Sequence, residues 1–303
     1  KRSGNLAKSS GFREAIFTRG FGIDLFFMRS QRIREDTMKI GVVGNSVKIR
    51  DETVVGRFLR FLQTEGYEAV LFEKAEDIGG VDALVVLGGD GAILHAATEA
   101  ARKNIKLIGI NYGNLGFLTE YEKEETERVK ELLSELREGS CPILRRTMLE
   151  LEVNGQKHYG LNEVVLQRDY SAADTQIVKL NVKINGEDAD TVVGDGLLLC
   201  TPTGSTAYSL SAGGALLTPQ VPAFMLTPIC AFSLNVRPLI FPDTDIVSMS
   251  VSKGKVMLLI DGKQVSPIME GMEVTVRKAP FTADFPRRGD SCFYRKIRTK
   301  LNQ

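Results

Sequence analysis

The chain has 303 residues, long enough for two domains and a sizeable core. Its 39 Lys and Arg balance 38 Asp and Glu, leaving a net charge of +1 that excludes a broad nucleic-acid-binding face. No apolar run reaches the roughly 18 residues that a membrane-spanning helix needs, so no membrane partner is expected.

Residues 1–37 are Arg-rich with scattered aromatics and no clear period. They read as an N-terminal extension, with its place in or outside the fold left open. Glu14, Asp24, Glu35 and Asp36 are the wrong composition for a transit peptide. From Met38 the pattern alternates. A strand at 39–43 leads to a helix near 51–65, where Val54, Val55, Phe58, Leu59 and Leu62 fall at helical spacing. Strands near 68–72 and 82–87, a helix near 91–103 and a strand near 106–110 follow. This is βαβ order, and short all-apolar strands suit a parallel sheet covered on both faces. The charged stretch 121–139 reads as an amphipathic helix with Val129, Leu132, Leu133 and Leu136 inward.

After Gly139 the pattern changes. Strands are predicted near 146–153, 158–167, 176–184, 191–200, 245–252, 256–261 and 272–277. Asn154-Gly155, Asn185-Gly186, Lys253-Gly254 and Asp261-Gly262 supply turns. The expected class is α/β plus all-β: a Rossmann-like α/β domain at 38–140 and a β-rich, sandwich-like domain at 141–280. The four cysteines, Cys141, Cys200, Cys230 and Cys292, lack metal-site spacing, and His95 and His158 form no cluster with them. The thiols read as reduced, in a cytoplasmic protein.

Four stretches could carry chemistry. Gly88-Gly89-Asp90-Gly91 follows a strand and opens a helix. Glycines there let backbone N–H groups approach phosphate oxygens, at the positive end of the helix dipole. A carboxylate would repel phosphate, so Asp90 makes sense if it accepts a hydroxyl proton or helps hold Mg²⁺. A tight turn with an incidental acid is the bland alternative.

The second stretch is Thr201-Pro-Thr-Gly-Ser-Thr-Ala-Tyr-Ser-Leu-Ser-Ala-Gly-Gly214, where Thr203, Ser205, Thr206, Tyr208, Ser209 and Ser211 crowd hydroxyls together. Helix capping uses one or two such groups; a ligand with a base and a sugar would use more. Third, Asn162-Glu163 could read a base edge and a ribose diol, or could be an exposed polar pair at a strand bend. Fourth, Ile110–Phe117 is a second glycine-bearing strand end that would face the same crevice. His95, one turn into the helix after Asp90, reads as a surface or core histidine.

These motifs, in this order and with Asp195-Gly-Leu and Leu226–Leu239 between and after them, resemble the NAD kinase family over roughly residues 38–290. The resemblance implies a kinase that moves the γ-phosphoryl of ATP, or of polyphosphate in some members, onto the 2′-hydroxyl of the adenosine ribose of NAD. It implies Mg²⁺ or another divalent cation bridged mainly by donor phosphates, with no protein metal ligand assigned. It also implies a homo-oligomer, a tetramer favoured, and a C-terminal segment, 281–303, returning towards the first domain. Carried over by position, Asp90 is the catalytic acid residue and Gly88, Gly89 and Gly91 form the phosphate-donor loop. Asn162, Glu163, Asp195, Thr206, Ala207, Tyr208, Ser211 and Phe117 bind NAD.

Two departures stand out. Ala92 replaces a threonine common after the G-G-D-G motif, and Ala231-Phe232 replaces Pro-His. Two rivals remain: a lipid or sphingoid kinase sharing G-G-D-G, and a dinucleotide sensor without turnover.

Overall fold

The computed structural model describes residues 37–44, 52–113, 116–171, 177–287 and 293–301. The expected extension at 1–37, apart from Thr37, lies outside the described residues, as do Asn114, Leu115 and Cys292.

The first half forms a five-stranded parallel sheet in the order β2-β1-β3-β4-β5. Its strands are β1 (Lys39–Gly44), β2 (Glu68–Phe72), β3 (Ala83–Gly88), β4 (Lys106–Asn111) and the short β5 (Tyr121–Glu122). Helices α1 (Glu52–Thr64), α2 (Asp90–Arg102) and α3 (Thr126–Arg137) cover it. Every residue of β3 is buried, the signature of a central parallel strand. On one face Phe58 and Leu62 of α1 and Val129, Leu132 and Leu133 of α3 pack against Ile40, Val42, Val85 and Leu87. The helical spacing of these residues is therefore the spacing of a real apolar stripe. Strand order reverses between β1 and β3, which puts the crevice that parallel sheets use for ligands just beyond the carboxyl end of β3.

The second half is all antiparallel. One six-stranded sheet has the order β10-β9-β14-β17-β6-β7 and the other β13-β12-β11-β8-β15-β16. The strands are β6 (Ile143–Val153), β7 (Gln156–Gly160), β8 (Glu163–Arg168), β9 (Val178–Ile184), β10 (Glu187–Gly194), β11 (Gly196–Cys200), β12 (Ala223–Ile229), β13 (Leu239–Pro242), β14 (Val247–Lys253), β15 (Val256–Ile260), β16 (Lys263–Ile268) and β17 (Glu273–Pro286). Two helices complete the chain, the single turn α4 (Tyr208–Ser211) and α5 (Phe293–Leu301). Alternate residues of the two sheets meet in one core, including Leu149, Leu151, Val164, Leu166, Leu180, Leu197, Phe224 and Val276. This is the sandwich that the alternating pattern predicts.

The two halves share a third core. Ile93, Ala96, Ala97 and Ala100 of α2 pack with Leu84 and Val86 of the parallel sheet and with Met148, Ala279, Ala283 and Phe285 of β6 and β17. The alanine-rich face lets α2 lie close to both layers. The described residues from Met38 onward accordingly form one compact unit.

Several expected strands differ in detail. The run predicted at 158–167 is two strands, β7 and β8, separated by a bend at Leu161-Asn162. The run at 191–200 breaks at Asp195, whose N–H donates to the Ile229 carbonyl while its own carbonyl accepts from the Arg168 N–H. Strands β12, β13 and β16 escape the sequence pattern because each contains a proline. Pro242 and Pro267 lie on edge strands, where a missing N–H costs no ladder bond. Pro228 sits past the reach of β13, which pairs only with Ala223–Leu226.

Candidate active site

Asp90 is the first residue of α2, with Gly89 as its N-cap. Its carboxylate is gripped by the loop after β4. The Phe117 N–H donates to Oδ2 at 2.7 Å, and the Leu118 and Thr119 N–H groups donate to Oδ1 at 2.9 and 3.4 Å. Gly116 is a steric requirement here: a Cβ built on it would lie 1.9 Å from Asp90 Oδ1. The acid and the second glycine-bearing strand end, predicted to face one crevice, are thus locked together. Oδ2 keeps acceptor capacity, since a carboxylate oxygen has about two lone-pair sites and one is taken.

The backbone around Asp90 is open. A Cβ added at Gly89 or Gly91 would meet no atom within 4 Å, which is the space a phosphate needs against the first-turn N–H groups. Ala92, the first departure, points into the core instead, and the helix is completed without a hydroxyl.

The polar pair Asn162 and Glu163 is buried, not exposed at a bend. The bend is built by Asp261, in the Asp-Gly turn after β15. The Leu161, Asn162 and Glu163 N–H groups donate to its carboxylate at 2.7, 2.8 and 3.1 Å. Burial, reinforced by the neighbouring Asp261 carboxylate, pushes the Glu163 carboxyl up to about 8. Among the described residues Glu163 Oε2 has no hydrogen-bond partner, a costly arrangement unless a ligand supplies one.

The hydroxyl-rich segment 201–211 is seated on this bend. The Thr201 N–H donates to the Asn162 carbonyl at 2.9 Å, and its hydroxyl donates to the Leu161 carbonyl at 2.6 Å. The Gly204 N–H donates to Thr201 Oγ1, and a Cβ on Gly204 would come within 2.2 Å of the Asn162 carbonyl oxygen. Not all the hydroxyls face a ligand, and here the sequence reading needs correction. Ser205 is bound to Pro202 and Leu217 and Ser209 to Thr227; both are fully buried and serve the fold. Thr206 donates to the Thr203 carbonyl from a partly exposed position. Ala207 and Tyr208 are also half-buried, and Ser211 is exposed at the end of α4.

Burial raises the Tyr208 phenol pKa, and the Asp195 and Glu163 carboxylates lie near enough to add to that shift. Asp195 is held by an ion pair, 3.2 Å from Arg168, whose guanidinium covers the Tyr170 ring. Phe117, whose N–H holds Asp90, packs its ring against Phe293 of α5, with the Lys300 ammonium 4.4 Å above it. His95 is exposed on α2, the surface histidine of the sequence reading. Phe232 is 78% exposed, with its N–H on the Val193 carbonyl.

Three residues escaped the sequence reading. Asp261 was hidden because a turn explains an Asp-Gly pair by itself. Arg146 is in phase with Leu144 and Met148 along β6, an inward position that could have flagged it. Lys296 belongs to α5, whose Nζ donates to the carbonyls of Phe117 and Thr119 at 3.2 and 2.7 Å and pairs with Glu120 at 3.3 Å.

Fold and site together define a nucleotide-binding α/β layer joined to an antiparallel sandwich, with one carboxylate at the sheet rim. Comparison with known proteins gives this class a family. The ATP-NAD kinase N-terminal domain family matches residues 51–140 and the ATP-NAD kinase C-terminal domain family matches 161–287. The NAD kinase of Carboxydothermus hydrogenoformans is 38% identical over 242 residues, covering 78% of this chain and 83% of that one. The NAD kinase of Methanothermobacter thermautotrophicus is 34% identical over 279 residues, covering 87% and 96%. Among solved structures, yeast NADH kinase complexed with NADH superposes with a TM-score of 0.78 at 26% identity, covering 88% of each chain. The Archaeoglobus fulgidus NAD kinase in complex with ATP shares the fold with a TM-score of 0.71 at 24% identity, covering 88% and 98%. The chain belongs to the NAD kinase family. It is a kinase, and the lipid-kinase alternative gives way.

Proposed function

We propose that this NAD kinase uses ATP to phosphorylate the 2′-hydroxyl of the adenosine ribose of NAD, with Asp90 as the group that meets that hydroxyl. The observation that carries the reading is the anchored Asp90 carboxylate: three N–H groups orient it, one lone pair of Oδ2 is left to accept, and open phosphate space lies beside it. The adenosine side is read by Asn162, Glu163, Asp195, Thr206, Ala207 and Tyr208, with Ser211 at the rim and Phe117 beside Asp90. Glu163 Oε2, without a partner among the described residues, is suited to a ribose hydroxyl.

In the transfer, the 2′-oxygen bonds to the terminal phosphorus as the bond from that phosphorus to the bridging oxygen breaks. The bridging electron pair stays with the departing diphosphate, and the hydroxyl proton passes to Asp90. Such transition states are loose, so positioning and charge neutralisation supply most of the rate. Gly88, Gly89 and Gly91 cradle the donor phosphates.

Among the described residues no three His, Cys, Asp or Glu side chains gather to hold a metal ion. A Mg²⁺ carried by the donor's phosphates would neutralise donor charge.

The homo-oligomer that the resemblance implies finds support in exposed Phe232, Leu234, Leu239 and Ile240. No described helix is long and apolar enough to cross a membrane.

The test is NADP formation from NAD, ATP and Mg²⁺. Asp90→Asn should lower kcat by at least about 10²-fold, the general-base contribution. Its amide nitrogen would also oppose a loop N–H, so amide exchange at Leu118 and Thr119 should accelerate. Near-wild-type turnover removes Asp90 from this role.

A further inference from the structure

Beside the Phe117 loop that grips Asp90, a small cleft opens between β6, the end of β17 and α5. Phe117 and Phe293 form its walls, and Arg146, Arg287 and Lys296 line it together with Glu120. It therefore holds three cations against one carboxylate, and Asp90 is the next anion out.

Arg146 is the unusual member. It is 4% exposed, stacked 5.0 Å over the Phe285 ring, and in the inward phase of a strand. Its one hydrogen bond among the described residues is from Nη1 to Thr203 Oγ1 at 3.2 Å. Its Nε has no partner among the described residues. Among the described residues no carboxylate approaches within ion-pair distance, although Glu120 and Asp90 both act on it electrostatically. Burying a guanidinium without pairing it is costly, and deleting the charge in favour of an apolar side chain is often stabilising. A planar cation with free donors is, however, what a phosphate oxygen takes. Arg146 also lies between the two halves of the site: it touches the 201–211 segment through Thr203 and lies in the cleft with the Phe117 loop that orients Asp90.

Resting on the NAD kinase reading, we propose that Arg146 is a further catalytic residue. Its guanidinium binds the phosphoryl group in transit, as the donor's terminal phosphate before transfer and as the 2′-phosphate of NADP afterwards. Lys296 is its positioning partner. Its two hydrogen bonds to the Phe117 and Thr119 carbonyls fix the loop that aims Asp90, and its pairing with Glu120 keeps that carboxylate off Arg146.

The experiment uses the full chain and two readouts, turnover and binding. For Arg146→Lys and Arg146→Met, kcat should fall about 10²–10³-fold, the usual cost of one transition-state donor, with KM for NAD within about threefold of wild type. By calorimetry the affinity for NADP should weaken at least about tenfold relative to that for NAD, because only NADP carries the 2′-phosphate. If the loss appears in KM for ATP alone, with the NADP-to-NAD affinity ratio unchanged, the donor is the sole phosphate source and the product half of the proposal fails. Unchanged kcat and an unchanged ratio in folded variants overturn it entirely. Should both variants fail to fold, Lys296→Met on the half-exposed α5 carries the test: kcat should fall about tenfold while both dinucleotides still bind, and wild-type kcat overturns the assignment. A wild-type enzyme that makes no NADP would instead sink the kinase reading, a separate outcome.

Discussion

Two carboxyls at one bend, the buried Glu163 and the partly buried Asp261, do different work. Asp261 accepts three backbone N–H groups and shapes the bend; Glu163, beside it, is left with an open oxygen. The pH consequence follows from the raised Glu163 pKa. In the unfolded chain the carboxyl ionises near 4.5, and in the native protein near 8. Between those values the native state binds a proton that the unfolded state has lost, so stability falls as pH rises through this window and levels off above it. Glu163→Gln should flatten the slope of urea midpoint against pH between 5 and 8; an unaltered slope would show that Glu163 is already ionised at neutral pH. The place of Asp90 at a strand end among glycines was legible in the sequence; the burial of the Asn162-Glu163 pair was not, because an exposed polar pair at a strand bend explains an acid beside an amide equally well until Asp261 folds over it. Arg146 was not legible either. Its phase along β6 hints at an inward position, but the cleft it lines is closed by a helix some 150 positions later, which is no local property of the chain.

At the scale of elements, the site is made by two close approaches in which a glycine stands where no side chain fits. The loop after β4 closes on Asp90 at Gly116, and the segment after β11 closes on the Asn162 carbonyl at Gly204. Gly116→Ala should cost as much turnover as Asp90→Asn, about 10²-fold or more, because the methyl displaces the carboxylate it would overlap. Gly204→Ala should instead raise KM for NAD and lower the melting temperature, since the overlapped atom is backbone at the adenosine side. Steady-state kinetics on the pair distinguish the two; matching profiles would mean that the halves of the site are not separable in this way. The parallel strands and their helices were readable from periodicity, since α1, α2 and α3 bury the stripes that their spacing displays. Strands carrying prolines at sheet edges were not, because an edge position is fixed only by the order of the finished sheet. The dense hydroxyls of 201–211 misled in part. Ser205 answers the buried backbone of Pro202 and Leu217 and Ser209 the Thr227 hydroxyl, a demand that arises only after the strand-to-helix turn has folded inward.

For the whole molecule, the exposed apolar residues Phe232, 78% exposed, and Leu234, 86% exposed, lie together on the connection between β12 and β13. If they form the contact between copies, the double variant Phe232→Asp, Leu234→Asp should lower the mass seen by light scattering to that of a single chain. An unchanged assembly would place the contact elsewhere. Strand β17 has a broader consequence. Its first half pairs within the sandwich, its register slips between Lys278 and Thr282, and its second half delivers Ala283 and Phe285 to the core beneath α2. One continuous ribbon is thus mortar for both halves. Chimaeras that graft the α/β half of one relative onto the sandwich of another should melt early unless β17 travels with the α/β half, and any breathing of the cleft must be borne by the slipped register instead of by a loose tether.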